Sequence, residues 1–526
     1  MNSPPTAISF DPQRYLMPDI VHLICEQAHA TYGMRRVLCV LARTSRLFHE
    51  PALSYVWSEL KDMVPLVGCL PEDVWSSRRG AFGSRDIKIE REILPSEISR
   101  VLFYGRFIKK LEVPTVVIPH IEGYILVLLA NALQGRMLLP NIEDLVWEPG
   151  HDYEFPIIHA YLGPNIRRLK ISLFGMHGSD LSNRLPYLYA WKLPESYPSL
   201  ESFKIDNGCS DELAVINIVS HVVCGWAHLQ VLSVSNLTPD AFEYIAALPD
   251  LRQLTLNDMA NVSPLPSQPP ISQNGIFPTL RDLNIVYKHP DIGIRLLQTT
   301  VCASLTHLKI NCPCDAEHGN DILEVICNHR AAHSTLQFLM VYSSETPSVN
   351  GPPFIQSHIT PATLNTQSLR GLFVFTNLSS VHLEIASGFD LDDAGIEEMA
   401  RAWPRLESLW LRTGAARPHQ RPRLTLRALV ILARECPALA KLGIGYLDAT
   451  MDALNAARSF AGDHPVANKH VYSIDIRRSP IDDIQQVGLF LCTVFTGLEV
   501  MFQGVGMVSW SRERSSMDLP TDTEDD

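Results

Sequence analysis

Apolar residues recur along this chain in a six-residue pattern, and its clearest copy is Leu406-Glu-Ser-Leu409-Trp-Leu411. The first, fourth and sixth positions are apolar, and the end of the pattern alternates as a half-buried strand does. Pro404 stands before this copy, and a run with helical spacing over 426–436 follows it after a loop. The pattern therefore predicts one strand and one helix in each repeating unit.

Twelve copies of this pattern follow one another along the chain. One copy is weak evidence, because any buried strand could supply it, but a series with helical segments between its members is strong evidence. The copies start about 22 to 42 residues apart, near the length of a unit with one strand and one helix. They begin at Ile142, Ile166, Leu200, Leu229, Leu251, Leu280, Leu305, Leu336, Leu378, Leu406, Leu439 and Val471. Helical spacing is clearest over 211–223, 240–248, 321–330, 392–403 and 426–436.

This series resembles the leucine-rich-repeat family over about residues 140 to 480. The resemblance implies an α/β fold in which parallel strands and outer helices stack into a leucine-rich-repeat solenoid, or horseshoe. We assign residues 141–505 to this solenoid. Two proline-rich inserts, 257–277 and 343–367, interrupt it, and we expect them to be surface loops.

The residues between the buried positions of each copy should face the open side of the strands, because successive strand residues point to opposite faces. In the early copies these residues are small or polar, for example Lys170 and Lys204, whereas later copies carry aromatic ones. Aromatic residues beside an arginine are typical of interaction hot spots. We predict a target-binding group of Phe338, Met340, Tyr342, Trp410 and Arg412. The alternative is that the insert 343–367 covers these residues as ordinary core.

Residues 14–60 have a different pattern, which predicts three short helices. Pro18 suits a first helical turn, and Asp19 favours the positive end of a helix. Leu38 and Leu41 lie on one stripe of the second helix, and Pro51 opens the third. Three helices of this length form too small a core to be stable alone, so we expect the module to pack on a neighbour or a partner.

Three stretches of this module resemble an F-box, namely Leu16-Met-Pro18-Asp19-Ile20, Leu38-x-x-Leu41-Ala42-x-x-Ser45-x-x-Phe48 and Ala52-Leu53-x-x-x-Trp57. With the stretch 66–75 they are similar to the start of fungal F-box proteins that carry C-terminal leucine-rich repeats. That family implies that the F-box binds a Skp-type adaptor and, through it, a cullin. The resemblance assigns adaptor binding to Leu16, Pro18, Ile20, Ile24, Leu38, Leu41, Ser45, Leu53 and Trp57. The alternative is a helical cap that only shields the end of the repeat stack.

The remaining segments complete the expected domain order. Residues 1–13 should be a flexible leader, and 61–140 a helical joint or N-terminal cap that fastens the F-box to the repeats. Residues 506–526 should be a disordered acidic tail, since the end of the chain has almost no apolar content.

Composition narrows the functional class. A chain of 526 residues exceeds one ordinary core, and a net charge of −13 argues against nucleic acid as the main partner. Eleven cysteines with scattered spacing favour a reducing compartment. The N-terminus shows no secretory signal, and the longest apolar run, 125–130, is too short to cross a bilayer. We expect a protein of the cytoplasm or nucleus with no membrane contact.

No catalytic motif occurs in the sequence, which lacks Gly-x-Ser-x-Gly, Gly-x-x-x-x-Gly-Lys and His-Glu-x-x-His. Cys312-Pro-Cys314 has His318, Cys327, His329 and His333 nearby, but it lacks the paired short spacings of a structural zinc site. We therefore expect neither an enzyme nor a cofactor or metal. The resemblances imply the substrate receptor of a Skp-cullin-F-box ubiquitin ligase, whose repeats bind a protein target. The alternative is a leucine-rich interaction scaffold without a ligase link.

Overall fold

The computed structural model describes most of the chain, with gaps. The described residues are 18–31, 35–79, 85–113, 120–121, 124–148, 157–172, 192–206, 213–258, 277–287, 289–299, 302, 304–312, 316–342, 363–385, 388–413, 422–462, 467–476, 479–503 and 506–509. They divide into two compact units, Met1–Val234 and Ser235–Asp526. Each unit is an α/β structure with parallel strands.

The first unit starts with helices and continues into a parallel sheet. Its helices are α1 (Pro18–Ala30), α2 (Arg35–Thr44), α3 (Arg46–Val56), α4 (Val64–Val67), α5 (Ser99–Gly105), α6 (Tyr124–Leu133), α7 (Leu193–Ser196) and α8 (Leu213–Val223). Its strands are β1 (Glu59–Leu60), β2 (Trp75–Arg79), β3 (Arg85–Ile89), β4 (Lys110–Val113), β5 (His120–Ile121), β6 (Asp144–Trp147), β7 (Arg168–Ser172), β8 (Ser202–Asp206) and β9 (Val231–Val234). A 3-10 turn spans Ile158–Ala160.

Six of these strands pair side by side in parallel, in the order β1, β4, β6, β7, β8 and β9. Strands β2 and β3 form a separate antiparallel pair, and β5 joins β3 in parallel. The first parallel strand therefore follows directly after the three N-terminal helices.

The second unit continues the alternation of strand and helix. Its strands are β10 (Gln253–Asp258), β11 (Asp282–Tyr287), β12 (His307–Asn311), β13 (Phe338–Tyr342), β14 (Leu364–Asn365), β15 (Ser380–Ile385), β16 (Phe389–Asp390), β17 (Ser408–Thr413), β18 (Lys441–Ile444), β19 (Ser473–Asp475), β20 (Val500–Gln503) and β21 (Gly506–Ser509). Its helices are α9 (Pro239–Ala246), α10 (Pro290–Thr299), α11 (Ala316–Asn328), α12 (Thr366–Arg370), α13 (Asp393–Ala402), α14 (Leu426–Glu435), α15 (Met451–Ala461) and α16 (Ile484–Val494), with 3-10 turns at Arg330–Ala332 and Gly371–Val374.

The strands of the second unit pair in chain order from β10 to β20, except that β14 and β16 form a small pair of their own. All of these pairings are parallel, and only β21 runs antiparallel, against β20. The register places equivalent positions of successive copies beside one another, so Leu409 lies between Val381 and Leu442. Leu406, Leu409 and Leu411 are at most 3% exposed. Rows of apolar residues thus form the core, and each buried leucine contributes roughly 2 kcal/mol.

All twelve predicted copies contain a strand of the parallel arrangement, so these predictions are confirmed. The five helices with the clearest spacing are confirmed too. Thr238 caps α9 by accepting a hydrogen bond from the amide of Ala241, and Asp392 caps α13 in the same way through Gly395.

Two predicted boundaries need correction. Residues 61–140 are not purely helical, because they contain β2 to β5, and β4 belongs to the parallel sheet. Its sequence, Ile108-Lys-Lys-Leu111-Glu-Val113, is a thirteenth copy of the pattern that the sequence analysis missed. The predicted tail starts too early, since residues 506–509 form β21. The leader 1–13, residues 510–526 and most of both proline-rich inserts lie outside the described residues.

Candidate functional site

The candidate target-binding residues lie on neighbouring strands of the second unit. Strand register sets Met340, His382, Trp410 and Gly443 side by side, because each is the fifth residue of its copy. The third residues form a parallel line of Phe338, Ser380, Ser408 and Lys441. Since neighbouring strands are about 4.8 Å apart, these side chains form a regular grid on one face.

Four rings on this face form what we call the aromatic row, which consists of His307, Phe338, His382 and Trp410. Their successive ring centroids are 5.8, 5.4 and 6.0 Å apart. The first pair is stacked, and the next two are edge-to-face. Such contacts are favourable for rings, so the row is held in place before any partner arrives.

Arg412 lies at the Trp410 end of the aromatic row. Its guanidinium carbon is 4.4 Å from the centroid of the Trp410 ring. One of its nitrogens donates to Oδ2 of Asp475 at 2.9 Å, and another lies 4.0 Å from the Glu384 carboxylate. The Asp475 side chain is only 5% exposed, so it anchors the guanidinium from beneath. Arg412 is therefore a fixed part of the site, with its charge already compensated.

His382 is the centre of the row and is held by two serines. Its Nε2 is 3.0 Å from the hydroxyl of Ser408 and 3.2 Å from that of Ser380. The Trp410 indole N–H donates to the same Ser408 oxygen at 3.0 Å. With the ring proton of His382 assigned to Nδ1, Nε2 accepts from the serines, and Ser408 accepts from Trp410 while it donates to His382.

The His382 ring is neutral at physiological pH. Burial, assisted by the positive charges of Arg412, Lys441 and Lys309, lowers the pKa of His382 to about 4. An uncharged ring can pack against an apolar group without a desolvation penalty for a charge.

Small residues leave open space next to these rings. A Cβ at Gly443 would lie 2.1 Å from a ring carbon of Trp410, so only glycine allows the indole to lie in this position. Ser380, Ser408 and Ala440 are also small. Ser380, Ser408 and Ala440 line a cavity of about 560 Å³ whose lining also includes the rings of Phe338, His382 and Trp410. That volume is within the range of pockets that bind part of a ligand or partner.

The structure brings all five predicted target-binding residues together. Phe338, Met340, Tyr342, Trp410 and Arg412 are each half-buried and line this one cavity. The sequence analysis left His382, Ser408 and Gly443 out of the group. Their signal was available, because they occupy the third or fifth position of the same copies, but a histidine, a serine and a glycine do not resemble hot-spot residues. Residues 343–362 lie outside the described part, so the predicted alternative of a covering loop stays open.

The predicted adaptor-binding residues divide into surface and core. Pro18, Ile20 and Ile24 are exposed on α1, whereas Leu38 and Leu53 are buried in the core of the three helices. Leu41 and Trp57 pack against that core, and Ser45 caps α3 by accepting a hydrogen bond from the Leu47 amide. Leu38 and Leu53 thus lie on the inner side of the helices, and the assignment of adaptor binding to them stays a prediction. Leu16 lies outside the described residues.

A group of exposed aliphatic side chains lies on α1 and α2, and we call it the aliphatic face. It consists of Ile20, Leu23, Ile24, Val37 and Val40, which are 38% to 57% exposed. Single exposed apolar residues are common, but five on two short neighbouring helices are typical of an interaction surface. The sequence analysis named only two of them.

The opposite side of the helical module packs on the rest of the first unit. Phe103, Tyr104 and Phe107 contact its core, and Trp57 stacks on Tyr104 with ring centroids 4.3 Å apart. Arg106 also pairs with Glu50 at 2.5 Å. This agrees with the expectation that three short helices need a neighbour.

Two cysteines near the candidate metal motif have their thiols in partly or fully buried positions. Burial raises the pKa of Cys302 to about 12 and that of Cys327 to about 11, which keeps both thiols protonated. Among the described residues no three side chains are grouped as metal ligands, and Cys314 lies outside them. None of the described helices combines the length and apolar character that a bilayer crossing requires.

Comparison with known proteins adds no assignment to this geometry. No protein-family model matches the chain, and no curated protein matches it either. The function must therefore be inferred from the two surfaces described above, the aliphatic face and the aromatic row.

Proposed function

We propose that this chain is the substrate receptor of a Skp-cullin-F-box ubiquitin ligase. In this role the N-terminal helices are an F-box that binds a Skp-type adaptor. The strands and helices that follow are a leucine-rich-repeat solenoid that binds a protein target. The chain catalyses nothing itself and raises the local concentration of the target near the conjugating enzyme.

The aliphatic face is the observation that carries this proposal. Leu23 and Val40 are 56% and 57% exposed, although both lie on short helices with a well-packed inner side. Leaving five such side chains in water is unfavourable by roughly 25 cal/mol for each Å² of apolar surface. A partner that covers the face removes this cost. The F-box resemblance supplies the class of that partner, a Skp-type adaptor.

The aromatic row supports the receptor half of the proposal. Phe338 and Trp410 are half-buried, so each can bury further area against a target without first being ordered. Their hydrogen-bonded and stacked neighbours hold them in place, which lowers the entropic cost of binding.

Co-purification of the full chain with a Skp-type adaptor tests the ligase link. We expect the wild type to retain the adaptor, and Leu23→Asp with Val40→Asp to lose at least nine-tenths of it. The matched control is Leu489→Asp, which changes a leucine on α16 that is 50% exposed. Equal retention by the Leu23/Val40 variant, or no adaptor bound to the wild type, would overturn the proposal. Circular dichroism must show that each variant keeps its helix content.

A second candidate function is an interaction scaffold whose N-terminal helices only cap the repeats. The stack of Trp57 on Tyr104 and the contacts of Phe103 and Phe107 favour it, because they tie the module to the repeats. Under this function Trp57→Ala lowers the melting temperature of the protein, and changes on the aliphatic face alter no binding. The adaptor assay separates the two functions.

A further inference from the structure

Charged residues flank the aliphatic face in a regular pattern. Its two most exposed residues are Leu23 on α1 and Val40 on α2, at 56% and 57%. Each has one charged residue four positions before it and another three positions after it, which places both on the same side of its helix. These charged neighbours are Asp19 and Glu26 around Leu23, and Arg36 and Arg43 around Val40. We call the first pair the acidic flank and the second pair the basic flank.

The internal structure of the module does not account for both flanks. All four side chains are exposed, and none of them makes an ion pair or a side-chain hydrogen bond with another described residue. The helix dipole accounts for Asp19, in the first turn of α1, and for Arg43, in the last turn of α2. It does not account for Arg36, because a cation in the first turn of a helix is unfavourable.

A partner that covers the aliphatic face must also cover part of the flanks. Residues three or four apart on a helix have Cβ atoms only about 5–6 Å apart, so Val40 cannot be buried without removing water from the basic flank. A charge that loses water and gains no opposite charge is destabilised. Carboxylates are therefore needed against the basic flank, and the same argument at Leu23 requires cations against the acidic flank.

We propose that the aliphatic face is a polarised docking surface for the Skp-type adaptor. The adaptor presents an apolar centre, with carboxylates opposite the basic flank and cations opposite the acidic flank. Apolar burial supplies the affinity, and the opposite charges on α1 and α2 fix the direction in which the adaptor lies across the two helices. This inference deepens the proposed function and rests on it for the identity of the partner.

Charge reversal on each flank tests the proposal, with the full chain and a purified Skp-type adaptor. Arg36→Glu with Arg43→Glu makes the chain more negative, and Asp19→Lys with Glu26→Lys makes it more positive by the same amount. We expect both variants to slow association about tenfold at low salt, because charges at the rim of an interface act mainly on the association rate. In about 1 M salt both effects should nearly vanish, because the Debye length falls to about 3 Å.

Two further variants serve as controls. Arg252→Glu with Arg281→Glu changes two exposed arginines of the second unit and alters the net charge as the basic-flank variant does. It should change the association rate less than twofold. Asp19→Lys can reduce the helix content of α1, which circular dichroism detects. Glu26→Lys alone lies outside the first turn and should still slow association about threefold.

The possible outcomes separate this inference from the ligase role. A partner attracted by net charge alone would associate faster with one double variant and more slowly with the other. That result, or an unchanged association rate for either double variant, would show that the surface is not polarised, while the ligase role stands. If the wild type binds no adaptor, the ligase role and this inference are both wrong.

Discussion

The strand faces of the two units carry different chemistry on the same kind of frame. In the first unit the outward residues of β6 and β7 pair with each other, as Arg168 does with Asp144 and Lys170 with Glu148, both at 3.0 Å. In the second unit the equivalent positions carry Phe338, His382 and Trp410 in contact with one another. The buried leucine rows are the same in both units.

This difference shows which positions of a repeat can carry a binding surface. Ion pairs across neighbouring strands satisfy each other, so the first face offers a partner little that water does not already provide. The rings of the second face keep apolar area exposed and are held in position by Ser408 and Gly443. Selection can thus change the outward residues of a repeat without changing its inward leucines.

Removing a buried leucine should lower the free energy of unfolding by a similar amount in both units. Leu145 in β6 and Leu409 in β17 are both fully buried. We expect Leu145→Ala and Leu409→Ala each to lower the free energy of unfolding by about 2–5 kcal/mol, because each leaves a cavity in a leucine row. Urea unfolding followed by circular dichroism measures this. A loss under about 1 kcal/mol in one unit only would contradict the claim of a common frame.

Substitutions on the outward strand faces of the two units should change target capture unequally. Trp410→Ala should reduce captured targets at least tenfold, which corresponds to more than about 1.4 kcal/mol, because it removes the largest ring that lines the cavity. Lys170→Ala on the first face should change capture less than twofold. Quantitative affinity purification of both variants, with proteasome activity inhibited, gives the comparison. Similar losses for the two variants would remove the distinction between the faces.

The neutral state of His382 makes the second face sensitive to acid. Its folded-state pKa of about 4 lies below the ordinary value near 6.5. The unfolded chain therefore binds a proton first as pH falls, and stability present above pH 6.5 is lost between about pH 6.5 and 4. We expect about 1 kcal/mol, since the ring is partly exposed and screened by water. The difference in the free energy of unfolding between the wild type and His382→Gln should therefore decrease as the pH falls from 6.5 to 4. An NMR titration that gives the His382 ring of the folded protein a pKa near 6.5 would contradict this prediction.

The smallest effect should come from the first face. The pair of Arg168 with Asp144 is largely exposed on the arginine side, so a double-mutant cycle should give a coupling of about 0.2–1 kcal/mol. It should fall further in 1 M salt, because exposed charges are screened. A coupling above about 2 kcal/mol would mean that the first face is a rigid network and not a solvated one.

The frame was predictable from sequence because its signal is repeated. Leu406, Leu409 and Leu411 define a template that eleven other copies match, and every copy contains a strand. The copy that begins at Ile108 was missed for two reasons. Its second and third residues are lysines, and no earlier copy precedes it, so the stretch resembled the end of a helix. Strands β2 and β3 have no such template, and their antiparallel pairing depends on contacts distant in sequence.

The site was predictable only in part, for a different physical reason. Aromatic residues such as Phe338 and Trp410 can be recognised as candidates from their residue type. Their outward position follows from the alternation of side chains along a strand. Gly443 acts through the space that it leaves for the indole, and Ser408 through one oxygen shared by two side chains. Such roles depend on distances between strands and cannot be read from a residue's own character. For Leu38 and Leu53 the residue type gave no information on burial, and both lie in the core of the three helices.

The reversal of β21 against β20 bears on self-association. A parallel array ends in a strand whose free amides and carbonyls can template another chain, which is a route to fibres. Here residues Val500 to Gln503 are matched by Ser509 to Gly506 running the other way. Among the described residues β21 therefore takes the pairing position beside β20 that a further parallel unit would need. A short edge strand of this kind is among the features by which natural sheets discourage edge-to-edge pairing.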